Sequence, residues 1–289
     1  MTDMPPRTRT LPQSCEPPSQ PPSQPPSQPP SQAPSQAPSR PSSQGRSRPR
    51  SQTAPSAASP LAGSAQVDAG GERLTLLPQR AVWWEAQSTV LIADPHFGKA
   101  AAYRALGQPV PRGTTAATLA RLDEVLGTWS ARRLIVLGDF LHARGGRAPA
   151  TLELMRAWRE RHAVLECVLV RGNHDSHAGD PPADLAFTVV DEPYVLGGLA
   201  LRHHPPAGPA QRGGPYALAG HLHPSYQLRG RAHERARLPC YVFAAHAGVL
   251  PAFGAFTGTW TVAPAPGQRI YVIAHDRVLA APSRLTAAG

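Results

Sequence analysis

From residue 71 onward, apolar runs and their breaks divide the chain into alternating strands and helices. Residues 89–93, Thr-Val-Leu-Ile-Ala, form a short β-prone run that stops at Asp94, and Pro95 cannot extend a hydrogen-bonded ladder. Residues 100–106 have helical character until Gly107 and two prolines interrupt them. Thr114 or Thr115 can cap the helix that follows, whose Leu119, Leu122, Val125, Leu126 and Trp129 recur on one face. Residues 134–137 predict a buried strand ending at Gly138-Asp139, residues 151–161 a helix, and residues 164–170 a strand ending at Gly172-Asn173. The order is β-α-β-α-β. Each polar tip lies just past a strand's carboxyl end, where open α/β sheets gather their sites.

After Asp180 the texture changes to short β-like runs at 187–190, 199–202, 216–219, 241–245, 259–262 and 271–274, separated by Gly and Pro. A mixed second half of this kind predicts a second sheet packed on the first. The expected fold is mixed α/β (α+β): two stacked mixed β-sheets flanked by helices, in one domain over residues 71–289.

Composition sets residues 1–70 apart. They hold about half of the chain's prolines and no aromatic residue, with four tandem Pro-Pro-Ser-Gln units between Pro17 and Gln32. Such a segment buries too little apolar surface to offset its ordering entropy, so it is expected to be a disordered tail. A ligand for a proline-recognising domain is the alternative. Cys15, Cys167 and Cys240 are scattered and odd in number, so nothing points to a disulfide framework or a cysteine zinc site. There is no apolar signal core and no run long enough to span a membrane, so a cytoplasmic protein is expected. The net charge of +10 favours polyanionic partners, nucleic acid foremost, although Lys99 is the only lysine among 29 basic residues, as a GC-rich coding bias would also produce.

The strand-end motifs carry the chemistry: Asp94-Pro95-His96, Gly138-Asp139, Gly172-Asn173-His174-Asp175 and Gly220-His221-Leu222-His223, with His203 or His204 between the last two. Singly, each reads as a turn. Together they outline a pocket for two divalent ions against a phosphate, where paired metals clamp the attacking and leaving oxygens of an in-line displacement. Asp139 is the expected bridge between the ions, because a carboxylate has two oxygens and Gly138 lets backbone approach. Asp94 and His96, alternating on extended backbone, are expected to reach one ion, and His221 and His223 to supply one imidazole each. Asn173 offers an amide oxygen. Two divalent ions, two carboxylates and a hydroxide leave +1, which matches a phosphodiester monoanion. Oxygen and imidazole donors point to Mn2+, with Fe or Zn also fitting, rather than Ca or Mg. His174, next to Asn173, is placed to protonate the departing alkoxide, with Asp175 orienting it. Lys99, five residues after Asp94, is expected to meet a phosphate as a point charge. His142, His177 and His275 read as supporting or surface residues.

The motifs 94–99, 138–142, 201–205 and 220–224, with Leu-Pro-Cys-Tyr at 238–241 and Val-Leu-Pro-Ala-Phe-Gly-Ala-Phe-Thr-Gly at 249–258, resemble the calcineurin-like metallophosphoesterases. Within them, they are similar to the PdeM group of bacterial ligase-associated DNA damage response endonucleases. The resemblance covers about residues 72–280, and the last block is its most specific part. It implies a metallophosphoesterase sandwich and a ligand role for His203 rather than His204. It also implies a DNA substrate, single-stranded or damaged, and a DNA ligase, helicase and exonuclease in the same pathway. Pro95 departs from the usual Leu in the first motif, and the Pro-Ser-Gln tail has no counterpart. Two other functions compete with a DNA endonuclease: a small-molecule phosphoesterase acting on cyclic nucleotides or nucleoside polyphosphates, and a non-catalytic scaffold of the same fold. Retention of every metal-site histidine argues against the scaffold.

Overall fold

In the computed structural model, residues 61–208, 213–229 and 235–282 are described. Regular structure begins before residue 70. β1 (Ala65–Ala69) and β2 (Glu72–Leu76) form an antiparallel hairpin across Gly70 and Gly71, both at positive φ, as a tight two-residue turn requires. Val67 and Ala69 turn into the core. The expected boundary at residue 70 is therefore corrected: residues 65–69 belong to the domain, since their two small inward side chains suffice at a sheet edge. Of the rest of the expected tail, residues 61–64 form a turn before β1, and residues 1–60 lie outside the described residues.

β3 (Val82–Trp84) leads to β4 (Thr89–Ala93), and β4, β5 (Arg133–Leu137) and β6 (Glu166–Val170) run parallel, with Ala93, Leu137 and Val170 aligned at their carboxyl ends. Between them run α1 (Lys99–Ala105), α2 (Thr114–Trp129) and α3 (Pro149–Arg161). Side chains along the three parallel strands alternate between two cores. Val90, Ile92, Leu134, Val136, Cys167 and Leu169 meet the helices, through Leu122, Val125, Met155 and Trp158. Leu91, Ala93, Ile135, Leu137, Val168 and Val170 meet the second sheet, through Leu201, Leu218, Tyr241 and Phe243. Burial on both faces is why these strands read as unbroken apolar runs.

After β6 come α4 (Asn173–Ala178) and β7 (Phe187–Val190). β7 pairs in parallel with β6, so it closes the first sheet, in order β1-β2-β3-β4-β5-β6-β7, rather than opening the second. The second sheet contains β8 (Tyr194–Leu196), β9 (Leu199–Leu201), β10 (Tyr216–Ala219), β11 (Pro224–Arg229), β12 (Arg235–Phe243), β13 (Ala247–Val249) and β14 (Trp260–Thr261). Its order is β14-β11-β12-β13-β10-β9-β8, with β15 (Arg269–Ala274) paired to β12 and β16 (Arg277–Ala280) to β15. The expected sandwich of two mixed sheets is observed. The threonine cap of α2 is not: Gly113, in left-handed backbone, holds that position, and Thr115 Oγ1 instead accepts the Gly98 N–H at 3.3 Å.

Tyr241 ties the sheets together. From β12 its buried hydroxyl reaches the carbonyl oxygens of Leu77 and Ala81, between β2 and β3, at 2.7 and 2.8 Å. Tyr241→Phe leaves those carbonyls buried without this donor, at a cost of about 1–3 kcal/mol. For a domain of this size, thermal unfolding is expected about 2–10 °C lower. An unchanged midpoint would show that the hydroxyl does not brace the sandwich.

Candidate metal centre

Each parallel strand hands its last apolar residue to a polar loop. Asp94 follows β4, Asp139 follows β5 by one glycine, and Asn173 opens α4 just after β6. The second sheet contributes His203 after β9, and His221 and His223 between β10 and β11. All seven expected ligands thus converge where the carboxyl ends of the parallel strands meet the loops of the opposite sheet.

They fall into two groups. In one, His96 Nε2 lies 3.3 Å from His223 Nε2, and His223 Nε2 lies 3.7 Å from Asp94 Oδ2. In the other, His203 Nε2 lies 2.8 Å from Asn173 Oδ1 and 3.1 Å from His221 Nδ1. The Asp139 carboxylate stands between them, Oδ1 at 3.4 Å from His203 Nε2 and Oδ2 at 3.7 Å from His96 Nε2. Asp94 also faces both ways, its Oδ1 lying 3.5 Å from His203 Nδ1.

The local backbone differs from the extended geometry the spacing suggested. Asp94 (φ 50°), His96 (45°), Asp139 (52°), His221 (69°) and His223 (46°) all adopt left-handed backbone. Side chains two apart converge because the chain turns, not because it alternates. Such conformations are costly for non-glycine residues and cluster at functional sites. Gly138, at φ 75°, serves a close approach: a Cβ there would lie 2.1 Å from His203 Nδ1. A Cβ at Gly220 would likewise lie 2.6 Å from Asp94 Oδ2. Each glycine makes room for a candidate ligand from another loop.

Electrostatics fit a cation. Burial pushes the Asp139 carboxyl above its ordinary range. Burial also depresses the imidazoles, His203 to about 4 against the opposing pull of Asp94, and His96 and His221 downward as well. His223 is the exception: burial pulls it down, but the Asp94 carboxylate more than offsets this. Two tautomers are set by carbonyls. His203 Nδ1 donates to Leu137 O at 3.2 Å and His223 Nδ1 to Gly258 O at 3.0 Å, which leaves both Nε2 lone pairs facing the cluster. Asp94 Oδ1 and His96 Nδ1 are buried with no hydrogen-bond partner among the described residues. Imidazole nitrogens around two buried carboxylates form the donor set of divalent cations.

His174 sits beside this cluster. Its N–H donates to Asp139 Oδ1 at 3.0 Å, its Nδ1 to His142 O at 2.6 Å, and its Nε2 lies 3.9 Å from Asp139 Oδ2. The His142 ring stacks on it at 4.9 Å, and burial lowers His142 to about 4. Lys99, the first residue of α1, is half-buried; burial lowers its ammonium, and the nearby Asp139 carboxylate opposes that. His204 Nδ1 lies 2.8 Å from Glu192 Oε1, and the ring also groups with His203 and His221, with nitrogens within 4.8 Å of theirs. Glu192, which sequence reasoning missed, also accepts the N–H groups of His203 and His204 at 2.7 and 2.9 Å. Spacing gives no signal for it, because it lies eleven residues upstream in another turn.

Asp175 does not orient His174, contrary to expectation. Its Oδ1 accepts the Phe140 N–H at 2.9 Å and the Leu141 N–H at 3.5 Å, and its Oδ2 accepts the Gly172 N–H at 2.9 Å. A carboxylate one residue after His174 on a helix points to a different face, here towards the loop that follows β5. Burial lifts its carboxyl to about 6 against the pull of these donors. Asp175→Ala orphans buried N–H groups and should destabilise the fold by about 2–4 kcal/mol, read as a lower denaturation midpoint. A variant of unchanged stability that turned over slowly would restore the role beside His174.

Residues 88–239 match the calcineurin-like phosphoesterase family. No curated protein matches the chain. Among solved structures, the nuclease MPE of Pseudomonas putida is 47% identical, with a TM-score of 0.66, covering 75% of this chain and 100% of its own. The protein of unknown function AQ665 from Aquifex aeolicus is 20% identical, with a TM-score of 0.33, covering 47% of this chain and 78% of its own. The family match spans β4 to β12 and takes in every loop that supplies the cluster, and so the chain belongs to the calcineurin-like phosphoesterase family and is a phosphoester hydrolase.

Proposed function

We propose that this hydrolase is a metal-dependent DNA endonuclease that cleaves phosphodiester bonds in single-stranded or damaged DNA and serves DNA repair in the cytoplasm. The observation that carries the reading is the Asp139 carboxylate standing between two groups of lone-pair donors, 3.4 Å from His203 on one side and 3.7 Å from His96 on the other. Its likeness to a bacterial nuclease at 47% identity and the net charge of +10 support a polynucleotide substrate over a small phosphoester. A DNA ligase, helicase and exonuclease as pathway partners rest on the motif resemblance alone.

Asp94, His96 and His223 would hold one ion, and Asn173, His203 and His221 the other, with Asp139 shared. Two divalent ions, Mn2+ by the donor set, with Fe or Zn also matching it, would supply Lewis acidity at the phosphoryl oxygens and a lowered pKa for the attacking water. His174 does the proton work. Its Nδ1–H is held by the His142 carbonyl, so Nε2 is the atom free to carry a second proton and give it to the leaving oxygen as the P–O bond breaks. Lys99 meets a non-bridging phosphate oxygen as a point charge. Asp175 acts only by holding the Gly172 and Phe140 backbones in register.

The purified protein is expected to open closed circular single-stranded DNA and to act poorly on cyclic nucleotides; the reverse ranking would move it to the small-molecule phosphoesterases. Elemental analysis of the same preparations should find both ions lost from Asp139→Ala and mainly one from His96→Ala, and two ions retained by the Asp139 variant would refute the shared carboxylate. His174→Ala should keep its metal content and lose about 10²–10⁴-fold in turnover, with a smaller loss on a nitrophenyl ester, whose leaving group needs little protonation. Equal losses on good and poor leaving groups would make His174 a phosphate-binding residue rather than an acid.

A further inference from the structure

Trp260 is exposed, unlike the other tryptophans. Its relative exposure is 69%, whereas Trp83, Trp84 and Trp158 are buried and Trp129 packs against Trp83 with ring centroids 5.7 Å apart. The backbone beneath it is not loose. The Trp260 N–H donates to the carbonyl of His223 at 3.0 Å, and its own carbonyl accepts from the buried Ser225 hydroxyl at 3.0 Å. Val262 N–H donates to Ser225 O at 2.8 Å, and His223 Nδ1 donates to Gly258 O at 3.0 Å. Residues 258–262 are thus laced to the turn that carries His223, and the indole is displayed from a fixed backbone one hydrogen bond from a candidate metal ligand. Leu222, between His221 and His223, is itself 45% exposed.

Its surroundings indicate what would cover it. β14 lies at the edge of the second sheet, with Trp260 opposite Pro224 and so directly after His223, in a chain of net charge +10. An exposed flat aromatic beside a cluster suited to a phosphodiester, on a chain of net positive charge, matches a ligand whose flat apolar faces are strung on an anionic backbone. In a duplex those faces are already stacked, so only an unpaired base can offer one.

We infer that Trp260 is a stacking platform for a base of single-stranded nucleic acid close to the phosphodiester undergoing hydrolysis. This inference rests on the nuclease reading above and assigns a residue to its single-strand preference. Stacking on an aromatic side chain is tolerant of sequence, so Trp260 favours unpaired substrate without selecting a base.

The metal-loaded protein is titrated with an oligothymidylate made of phosphorothioate linkages, which resist cleavage, and tryptophan fluorescence is followed. Wild type is expected to quench on binding, since among the described residues Trp260 is the tryptophan open to solvent. Trp260→Leu should lose the quench and bind about 5- to 150-fold more weakly, the range for one stacked base. Trp260→Phe, which keeps a ring, should recover part of the affinity without the quench. Hydrolysis of bis(4-nitrophenyl) phosphate should be the same in all three. Equal affinity of wild type and Trp260→Leu would overturn the inference, as would no recovery in Trp260→Phe. A parallel fall in small-diester hydrolysis would assign Trp260 to the support of His223 instead. A loss of self-association in Trp260→Leu, seen by sedimentation, would assign the indole to a second copy of the chain. If wild type neither binds nor cleaves DNA yet hydrolyses the nitrophenyl diester, it is the nuclease reading that fails.

Discussion

The carboxylates of Asp94 and Asp139 are almost fully buried among imidazoles, of which burial keeps His96 and His203 neutral. Taking two anions out of water side by side costs several kcal/mol per ion unless a cation or a full set of donors compensates. Backbone N–H groups compensate in part: His221 N–H donates to Asp94 Oδ2 at 2.8 Å and His174 N–H to Asp139 Oδ1 at 3.0 Å. One donor is a candidate ligand itself, His221, and the other follows Asn173 in the first turn of α4. Neutralising each carboxylate therefore helps to fix the next loop, and the five left-handed residues and the close-packed glycines follow from crowding these loops together. The remaining lone pairs face inward, which is the condition a divalent cation satisfies.

That crowding needs a rigid base. Parallel pairing of β4, β5 and β6 puts Ala93, Leu137 and Val170 in register, so their loops emerge at one level. The ladder has a core on each face, and Phe253 adds a clasp, its N–H donating to Ala93 O at 2.7 Å just before Asp94. Asp175 and Glu192 repeat the device at the next layer. Neither faces the cluster, yet each gathers backbone N–H groups from the loops that do, which is how second-layer carboxylates set geometry without touching substrate.

The parallel strands and the polar loops were legible in the sequence because both leave local marks. A strand buried on two faces must be continuously apolar, and its end shows as an abrupt change to Asp, Asn or Gly. Other features depend on distant partners. β1 and β2 carry mixed polar and apolar residues, and they become strands through the Gly70-Gly71 turn and the packing of Val67 and Ala69. β7 looks like the other short runs of the second half and joins the first sheet only because its partner is β6. The identities of the candidate ligands could be read from residue type and order, but not their conformation: positive φ at five non-glycine residues is imposed by the loops facing them. Asp175 illustrates the limit most clearly. Adjacency to His174 suggested a partnership, whereas helix geometry sends consecutive side chains about 100° apart, here towards the Phe140 and Leu141 backbone.

Because Asp94, His96, Asp139 and Asn173 come from the first sheet and His203, His221 and His223 from the second, neither sheet contains the cluster alone. Its geometry is set by the apolar layer between the sheets, where Leu137, Val170, Leu201 and Leu218 pack immediately beneath the loops. A methylene lost there would shift the strand ends relative to one another, and the few tenths of an ångström that separate a good ligand distance from a poor one would be lost with it. Such close packing also bears on Gly138: its missing side chain is filled by the His203 ring, which crosses from the opposite sheet to within hydrogen-bond reach of Leu137 O. The contact that orients a candidate ligand and the contact that seats one sheet on the other are therefore the same.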